Sequence, residues 1–337
     1  ETGRITVSLT EAGLAALVPG GRGEDVLTVS VGGREYEMPL VATGDRDYDT
    51  AAEEAGYGKD SSLKAEWFAA DQPSSPSGGF VSSLDHATVV LGGSDYNRVD
   101  ITTHGRMNIY AVVGSVIDVS ASQRGDVYIS SLGERHAVGV TALPNAPSVI
   151  KTGDQGTVNI FATGYGENGV FGITAQAEGA SVHIISPIIR IETDGYSSTG
   201  IYVAEKGSVA LGNPDGALDL EIVPGVPDGY YGEAIITWEG TVSITGNSHA
   251  GGPGDSIVCK GGVWSDNASA VSIATGEGDD RISIGGLFRA SDGSSATIQT
   301  GNGDDSVTIN SVYSGTYSWQ NSRAEALIET GDGNDAV

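Results

Sequence analysis

The chain has 337 residues, 51 of them Gly, and the glycines follow no three-residue period, which excludes a collagen-like triple helix. Acidic residues outnumber basic ones 44 to 17, a formal charge of -27 that repels nucleic acid and anionic membrane surfaces and favours cations. No apolar run reaches the roughly 20 residues that span a bilayer, so no membrane insertion is expected, and a single cysteine, Cys259, excludes an intrachain disulfide.

In chain order, Ile5–Leu9 and Val26–Val31 read as strands, with a helix-like stretch, Glu11–Val18, between them. Gly32-Gly33 then turns the chain toward Tyr36–Val41, the pattern of a hairpin. Residues 43–78 are polar and loop-like, with one helical turn at Ala51–Ala55, and Pro73–Gly79 has linker composition. These features divide the chain into an N-terminal β-rich region with a polar linker, 1–79, and a second unit, 80–337. Glu1-Thr2-Gly3 reads as a processed or engineered junction, and the last repeat stops at Val337, as in a fragment of a longer protein.

From residue 80 the texture is uniform. Ala87–Leu91, Val99–Thr102, Met107–Val112, Val116–Val119, Val127–Ile129, Val158–Phe161, Val182–Ile185 and Val242–Ile244 are short alternating segments separated by turn residues. A period of two buries one face and solvates the other. A looser repeat overlies this one. Val138-Gly139-Val140-Thr141-Ala142, Phe171-Gly172-Ile173-Thr174-Ala175 and Thr199-Gly200-Ile201-Tyr202-Val203-Ala204 match in type, each followed by a turn and a second strand such as Gly179–Ile184 or Gly207–Leu211. The spacing between equivalent glycines accommodates three short strands with their turns, one coil of a solenoid whose inward face is buried only by its neighbours. The fold expected is all-β, a right-handed parallel β-helix behind a small N-terminal β-rich region. A string of β-sandwich domains is the alternative.

Three acidic turns punctuate the C-terminal part: Thr275-Gly276-Glu277-Gly278-Asp279-Asp280, Thr300-Gly301-Asn302-Gly303-Asp304-Asp305 and Thr330-Gly331-Asp332-Gly333-Asn334-Asp335. An apolar residue, Ile282, Val307 or Val337, follows each. Glycine supplies backbone conformations that other residues resist, and Asp supplies hard oxygen ligands. Stacked one coil apart, about 4.8 Å, the aspartates repel one another unless a cation lies between them. Alternatively, their oxygens cap turn N–H groups in an ion-free polar ladder. Gly251–Ile257 resembles the same turn with one residue missing and Leu91–Asp95 resembles it more weakly, and both read as ordinary turns.

The G-I-x-A rhythm at 171–175 and 200–204 resembles the β-helical passengers and giant adhesins of Gram-negative bacteria. The acidic turns resemble the calcium-binding nonapeptide of RTX proteins, Gly-Gly-x-Gly-x-Asp-x-U-x, with Thr275, Thr300 and Thr330 in place of the first Gly and without tandem nine-residue repetition. That resemblance implies calcium as cofactor, held by Gly276, Gly278, Asp279, Asp280, Gly301, Gly303, Asp304, Asp305, Gly331, Gly333, Asn334 and Asp335.

No HExxH, G-x-S-x-G or Walker loop is present, and His86, His104, His136, His183 and His249 do not cluster in sequence. Cys259 reads as a packed small hydrophobe, His183 as a solvent-facing strand residue, and Asn267-Ala268-Ser269 as an incidental sequon. Asp194, Glu205 and Lys206 are a weak catalytic candidate. Tyr230, Tyr231, Trp238, Tyr313, Tyr317 and Trp319 gather where loops would leave the coils, able to stack on sugars or anchor a partner. The function expected is a non-enzymatic structural or adhesive segment of a large secreted or cell-surface bacterial protein, mediating surface attachment or biofilm formation. Its partners would be a host or surface ligand, carbohydrate or protein, or other copies of itself. An S-layer subunit and a β-helical polysaccharide lyase or epimerase are the alternatives.

Overall fold

The structure, a computed structural model, describes residues 26–31, 34–39, 62–67, 81–82, 88–92, 98–103, 107–111, 116–121, 125–132, 137–164, 169–195, 197–213, 215–225, 232–249, 252–316 and 323–337. Among them every regular element is a strand. The Gly-Gly hairpin is present: Val26–Val31 pairs antiparallel with Arg34–Pro39. Ile5–Leu9, Glu11–Val18, Ala51–Ala55 and Pro73–Gly79 lie outside the described residues.

The rest is a parallel β-solenoid. One coil shows the plan: Thr157–Gly164 forms a first face, Val170–Gln176 a second and Ser181–Ile185 a third. The next coil repeats it with Ile188–Gly195, Ser198–Ala204 and Ser208–Gly212, each paired in parallel with its counterpart. The first and second faces belong to one 16-stranded sheet and the third face is a nine-stranded sheet. Toward the C-terminus single long strands, Arg281–Ser291 and Ser306–Gly315, serve both of the first two faces. A sandwich string would pair its strands antiparallel, so the register excludes it. Parallel pairing also reaches upstream of residue 80, because Ser62–Trp67 pairs with Arg98–Thr103 in the large sheet.

Alternation within each strand builds the core. On the third face Val119, Ile150, Ile184, Leu211, Ile244, Ile273 and Ile298 stand in one inward column. On the first, Ile129, Ile160, Ile191, Ile222, Cys259 and Ile284 stand in another. Each is at most 2% exposed, and each full burial contributes about 1.5–3 kcal/mol. β-branched side chains suit this setting because their stiff rotamers match the pleat. Cys259 is one member of an aliphatic column, and burial pushes its thiol up to about 12, so it packs rather than reacts.

The G-I-x-A rhythm has a steric cause. Gly139 and Gly172 sit where an added Cβ would lie 2.6 Å from Ile160 Cγ2 and 2.5 Å from Ile191 Cγ2, respectively. Gly200 repeats the contact, 2.3 Å from Ile222 Cγ2. The isoleucines of the next coil's first face press against the start of the second face, and glycine leaves them room.

Candidate functional site

The acidic turns form the corner between the third and first faces. In successive coils they superpose: Glu277 bridges Asn302, which bridges Asp332. The backbone is laced across coils, with Asn302 N–H donating to the Gly276 carbonyl, Gly278 N–H to the Asn302 carbonyl and Asp332 N–H to the Gly301 carbonyl. Such close stacking needs glycine. Gly276, Gly301 and Gly331 have φ of +98, +87 and +78°, and a Cβ on Gly301 or Gly331 would lie 1.7 Å from the carbonyl oxygen of the glycine one coil before. Thr275 and Thr300 are buried, and their hydroxyls donate to the carbonyls of Thr300 and Thr330 at 3.3 and 3.0 Å.

The acidic pair of each turn splits into two columns. The inner column is Asp255, Asp280, Asp305 and Asp335. Asp280 Oδ1 accepts from Asp255 N–H at 2.7 Å, Asp305 Oδ1 from Asp280 N–H at 2.9 Å, and Asp335 Oδ1 from Asp305 N–H at 3.1 Å. The outer, exposed column is Asp279, Asp304 and Asn334, and runs the other way: Asp279 Oδ1 accepts from Asp304 N–H at 2.9 Å and Asp304 Oδ1 from Asn334 N–H at 2.9 Å. The two columns therefore satisfy turn N–H groups of both neighbouring coils.

Asp255 closes the inner column at its upstream end. Its Oδ1 accepts from Leu218 N–H at 2.6 Å and its Oδ2 from Asn247 N–H at 2.8 Å. Burial raises its carboxyl to about 6, opposed by those backbone donors and reinforced by the charge of Asp280. Asp280 is raised for the same first reason, with Asp305 and Asp279 adding to it. Sequence reading takes Gly251–Ile257 as an ordinary turn, but the structure makes its Asp255 the cap of the ladder. The signal was present in the Gly254-Asp255 pair ahead of Ile257, masked by the longer corner that precedes it.

Whether the residues suit calcium follows from their free oxygens. In both columns Oδ1 is committed to a backbone N–H, and the Gly276, Gly301 and Asn302 carbonyls accept inter-coil bonds. Asp280 Oδ2 and Asp305 Oδ2 are left buried without a hydrogen-bond partner. Among the described residues no group of three or more His, Cys, Asp or Glu side chains is placed to hold one ion, whereas calcium takes 6–8 oxygens. The twelve residues the RTX resemblance implies do come together, but as a hydrogen-bonded ladder.

The remaining candidates separate. His183 is exposed on the third face, as expected, and His249 donates its backbone N–H to Asn247 Oδ1 at 3.0 Å. Lys206 pairs with Glu178 at 3.2 Å, and Asp194 stands on the first face while Glu205 and Lys206 turn out of the second. Asn267 lies in a turn with φ +55° and donates to Glu239 at 2.6 Å. Of the aromatic group, Trp238 is 51% exposed on the second face and Tyr313 lies on the same face. Tyr230, Tyr231, Tyr317, Trp319, His86, His104, His136 and the Gly93–Asp95 part of Leu91–Asp95 lie outside the described residues.

Comparison of the chain with family models, curated proteins and solved structures finds no match in any of the three. No helix among the described residues is long and apolar enough to cross a membrane.

Proposed function

We propose that the chain is a rigid structural and adhesive segment of a larger secreted or cell-surface protein. The observation that supports this reading most is the continuity of the stack. Parallel pairing runs coil to coil from Ser62 to Ala336, over columns of buried aliphatic residues and through a corner whose polar groups bond to the coils on either side. Such a body resists bending because each coil's backbone bonds and inward face belong equally to its neighbours. The charge of -27 keeps a long exposed surface soluble and discourages contact with anionic polymers. In this reading the acidic turns act as a hydrogen-bonded seam, and no step depends on a bound ion.

Two measurements test the proposal. Solution scattering should give an elongated particle, with beads carrying the protein attaching to a coated surface more than beads carrying the heat-denatured chain. A globular scattering profile, or turnover in a screen of polysaccharides, would overturn the reading in favour of another shape or an enzyme. Two-dimensional lattices of the purified protein would favour an S-layer subunit.

A further inference from the structure

The middle acidic turn differs from its neighbours at one position. Glu277, Asn302 and Asp332 stand in one column, bridged coil to coil, and of the three only Asn302 carries an amide, followed directly by Gly303. Asn302 Nδ2 donates to Glu277 Oε1 at 2.9 Å, so a neutral donor separates two carboxylates. An Asn-Gly pair is the most labile amide of a polypeptide. The Gly nitrogen attacks the Asn side-chain carbonyl, a five-membered succinimide closes and ammonia leaves. Glycine has no Cβ to hinder that attack. Water then opens the ring at either carbonyl, giving aspartate or isoaspartate.

In the stacked coils the attacking nitrogen is held away from that reaction. Gly303 N–H donates to the Asp332 carbonyl at 3.0 Å. Asn302 N–H donates to the Gly276 carbonyl, and the Asn302 carbonyl accepts from Gly278 N–H, both at 2.9 Å. The backbone around Gly303 is covered on both sides. A Cβ on Gly303 would lie 2.0 Å from the Gly278 carbonyl oxygen, and one on Gly333 would lie 1.7 Å from the Gly303 carbonyl oxygen. Ring closure requires the Gly303 nitrogen to turn from Asp332 toward Asn302 Cγ, so the 330–335 turn must first lift. The Asn302 side chain is exposed and meets water throughout. The glycine that stacking requires is therefore the one that makes Asn302 labile once stacking is lost.

We propose that Asn302-Gly303 is a modification site that works as a one-way latch on the seam: it deamidates when the 330–335 turn lifts, and the product prevents the turn from reseating. The Gly303 nitrogen gives up its proton as its bond to Asn302 Cγ forms, the Cγ–Nδ2 bond breaks and ammonia departs with that proton. One water is consumed when the ring opens. Either product spoils the ladder. An aspartate puts three carboxylates in register about 4.8 Å apart and loses the donor to Glu277. Isoaspartate routes the main chain through the side-chain carbon, which lengthens the corner by one atom, so Gly303 no longer meets Asp332. Glu277 would need a six-membered ring and Asp332 would have to expel water, so neither cyclises as readily. The inference requires only the stacked coils and does not rest on the adhesive reading.

The test is ageing of the intact chain at neutral pH, folded and in guanidinium chloride, with peptide mapping by mass spectrometry. Mapping separates Asn302 from Asn168-Gly169, the other Asn-Gly pair in the sequence. The folded chain should deamidate at Asn302 at least about tenfold more slowly than the unfolded chain, in step with the hydrogen-exchange protection of the Gly303 amide. Gly331→Ala, whose Cβ would lie 1.7 Å from the Gly301 carbonyl oxygen, should lift the turn and bring the rate to within about threefold of the unfolded one. Should that variant fail to fold, Asp335→Ala removes only the acceptor of Asp305 N–H and should give an acceleration between these limits. The deamidated chain, purified and returned to native buffer, should show no protection at Gly303, whereas Asn302→Gln aged in the same way should keep it. Equal rates in the folded and unfolded chains overturn the proposal. So does a deamidated product that retains protection at Gly303, or a rate that neither seam variant changes.

Discussion

The corner between the third and first faces changes length from coil to coil just upstream of the acidic turns and is uniform within them. Residues 152–156, 186–187, 213–218 and 246–255 make corners of five, two, six and ten residues, whereas 275–280 and 300–305 are both six residues long with the same sequence pattern. Upstream corners are closed by individual contacts. The Thr152 and Ser186 hydroxyls lie 2.8 Å apart, and Asn213 Nδ2 donates to the Ala217 carbonyl at 2.7 Å. Downstream, equal length puts equivalent atoms over one another, so one interaction repeats as a column. The lesson is that a solenoid holds its corner either by local caps or by a repeated ladder, and that a ladder requires constant corner length. Asp255 joins the two regimes, accepting from Leu218 and Asn247 upstream while its own N–H donates to Asp280 downstream.

The largest contrast should come from glycine. Gly301→Ala forces a Cβ into a φ of +87° and to within 1.7 Å of the Gly276 carbonyl, and should cost on the order of 3 kcal/mol or prevent folding. Gly216→Ala, in an upstream corner, meets only the Asn213 side-chain amide at 3.1 Å and should change stability by less than about 1 kcal/mol. Denaturant titration of the two variants compares them directly, and equal losses would erase the distinction between the regimes.

Removing one rung is the next effect in size. Asp280→Ala leaves the Asp255 N–H without its acceptor inside the corner, a loss of about 1–3 kcal/mol. Asp280→Asn keeps an acceptor and removes the charge, so it should recover most of that loss. An Asn variant as unstable as the Ala variant would mean that the charge, rather than the hydrogen bond, holds the rung.

A smaller effect is expected from pH. Asp255 in the folded chain titrates at about 6, above the ordinary 3.8, chiefly because of burial. Its raised value means the contribution is fully present below about pH 4 and is lost as pH rises through about 6. The melting temperature should therefore fall between pH 4 and pH 7, and Asp280→Asn, which removes a neighbouring charge, should lessen the fall. A melting temperature that rises over this range would contradict the assigned sign. The smallest shift should follow calcium: millimolar calcium and a chelator should give melting temperatures within about a degree, and a rise of several degrees with calcium would show that the ladder rearranges around an ion.

Much of the architecture was legible because a solenoid writes its period into the chain. Strand alternation, the glycine at 139, 172 and 200, and the three acidic turns each mark one place in a coil. The clash between those glycines and the isoleucines of the next coil explains why the rhythm is visible at all. Asp255 escaped because its corner is longer, which breaks the spacing that reveals the others. The pairing of Arg289 with Asp266 and with the Trp264 ring escaped for a different reason. Its members come from two coils in a stack of unequal coil lengths, so no repeated interval connects them.

An all-β stack with glycine-acid corners follows from the residues alone, since period-two apolar patterning and turn glycines leave the backbone few other choices. What the acid pairs do depends on the stacked coils around them. Adjacent residues in a turn project to opposite sides, so Asp280 goes inward and Asp279 outward, and the coils above and below supply the N–H groups each one meets. Those partners are 25 residues away along the chain, and only the stacking of the coils brings them within hydrogen-bond distance.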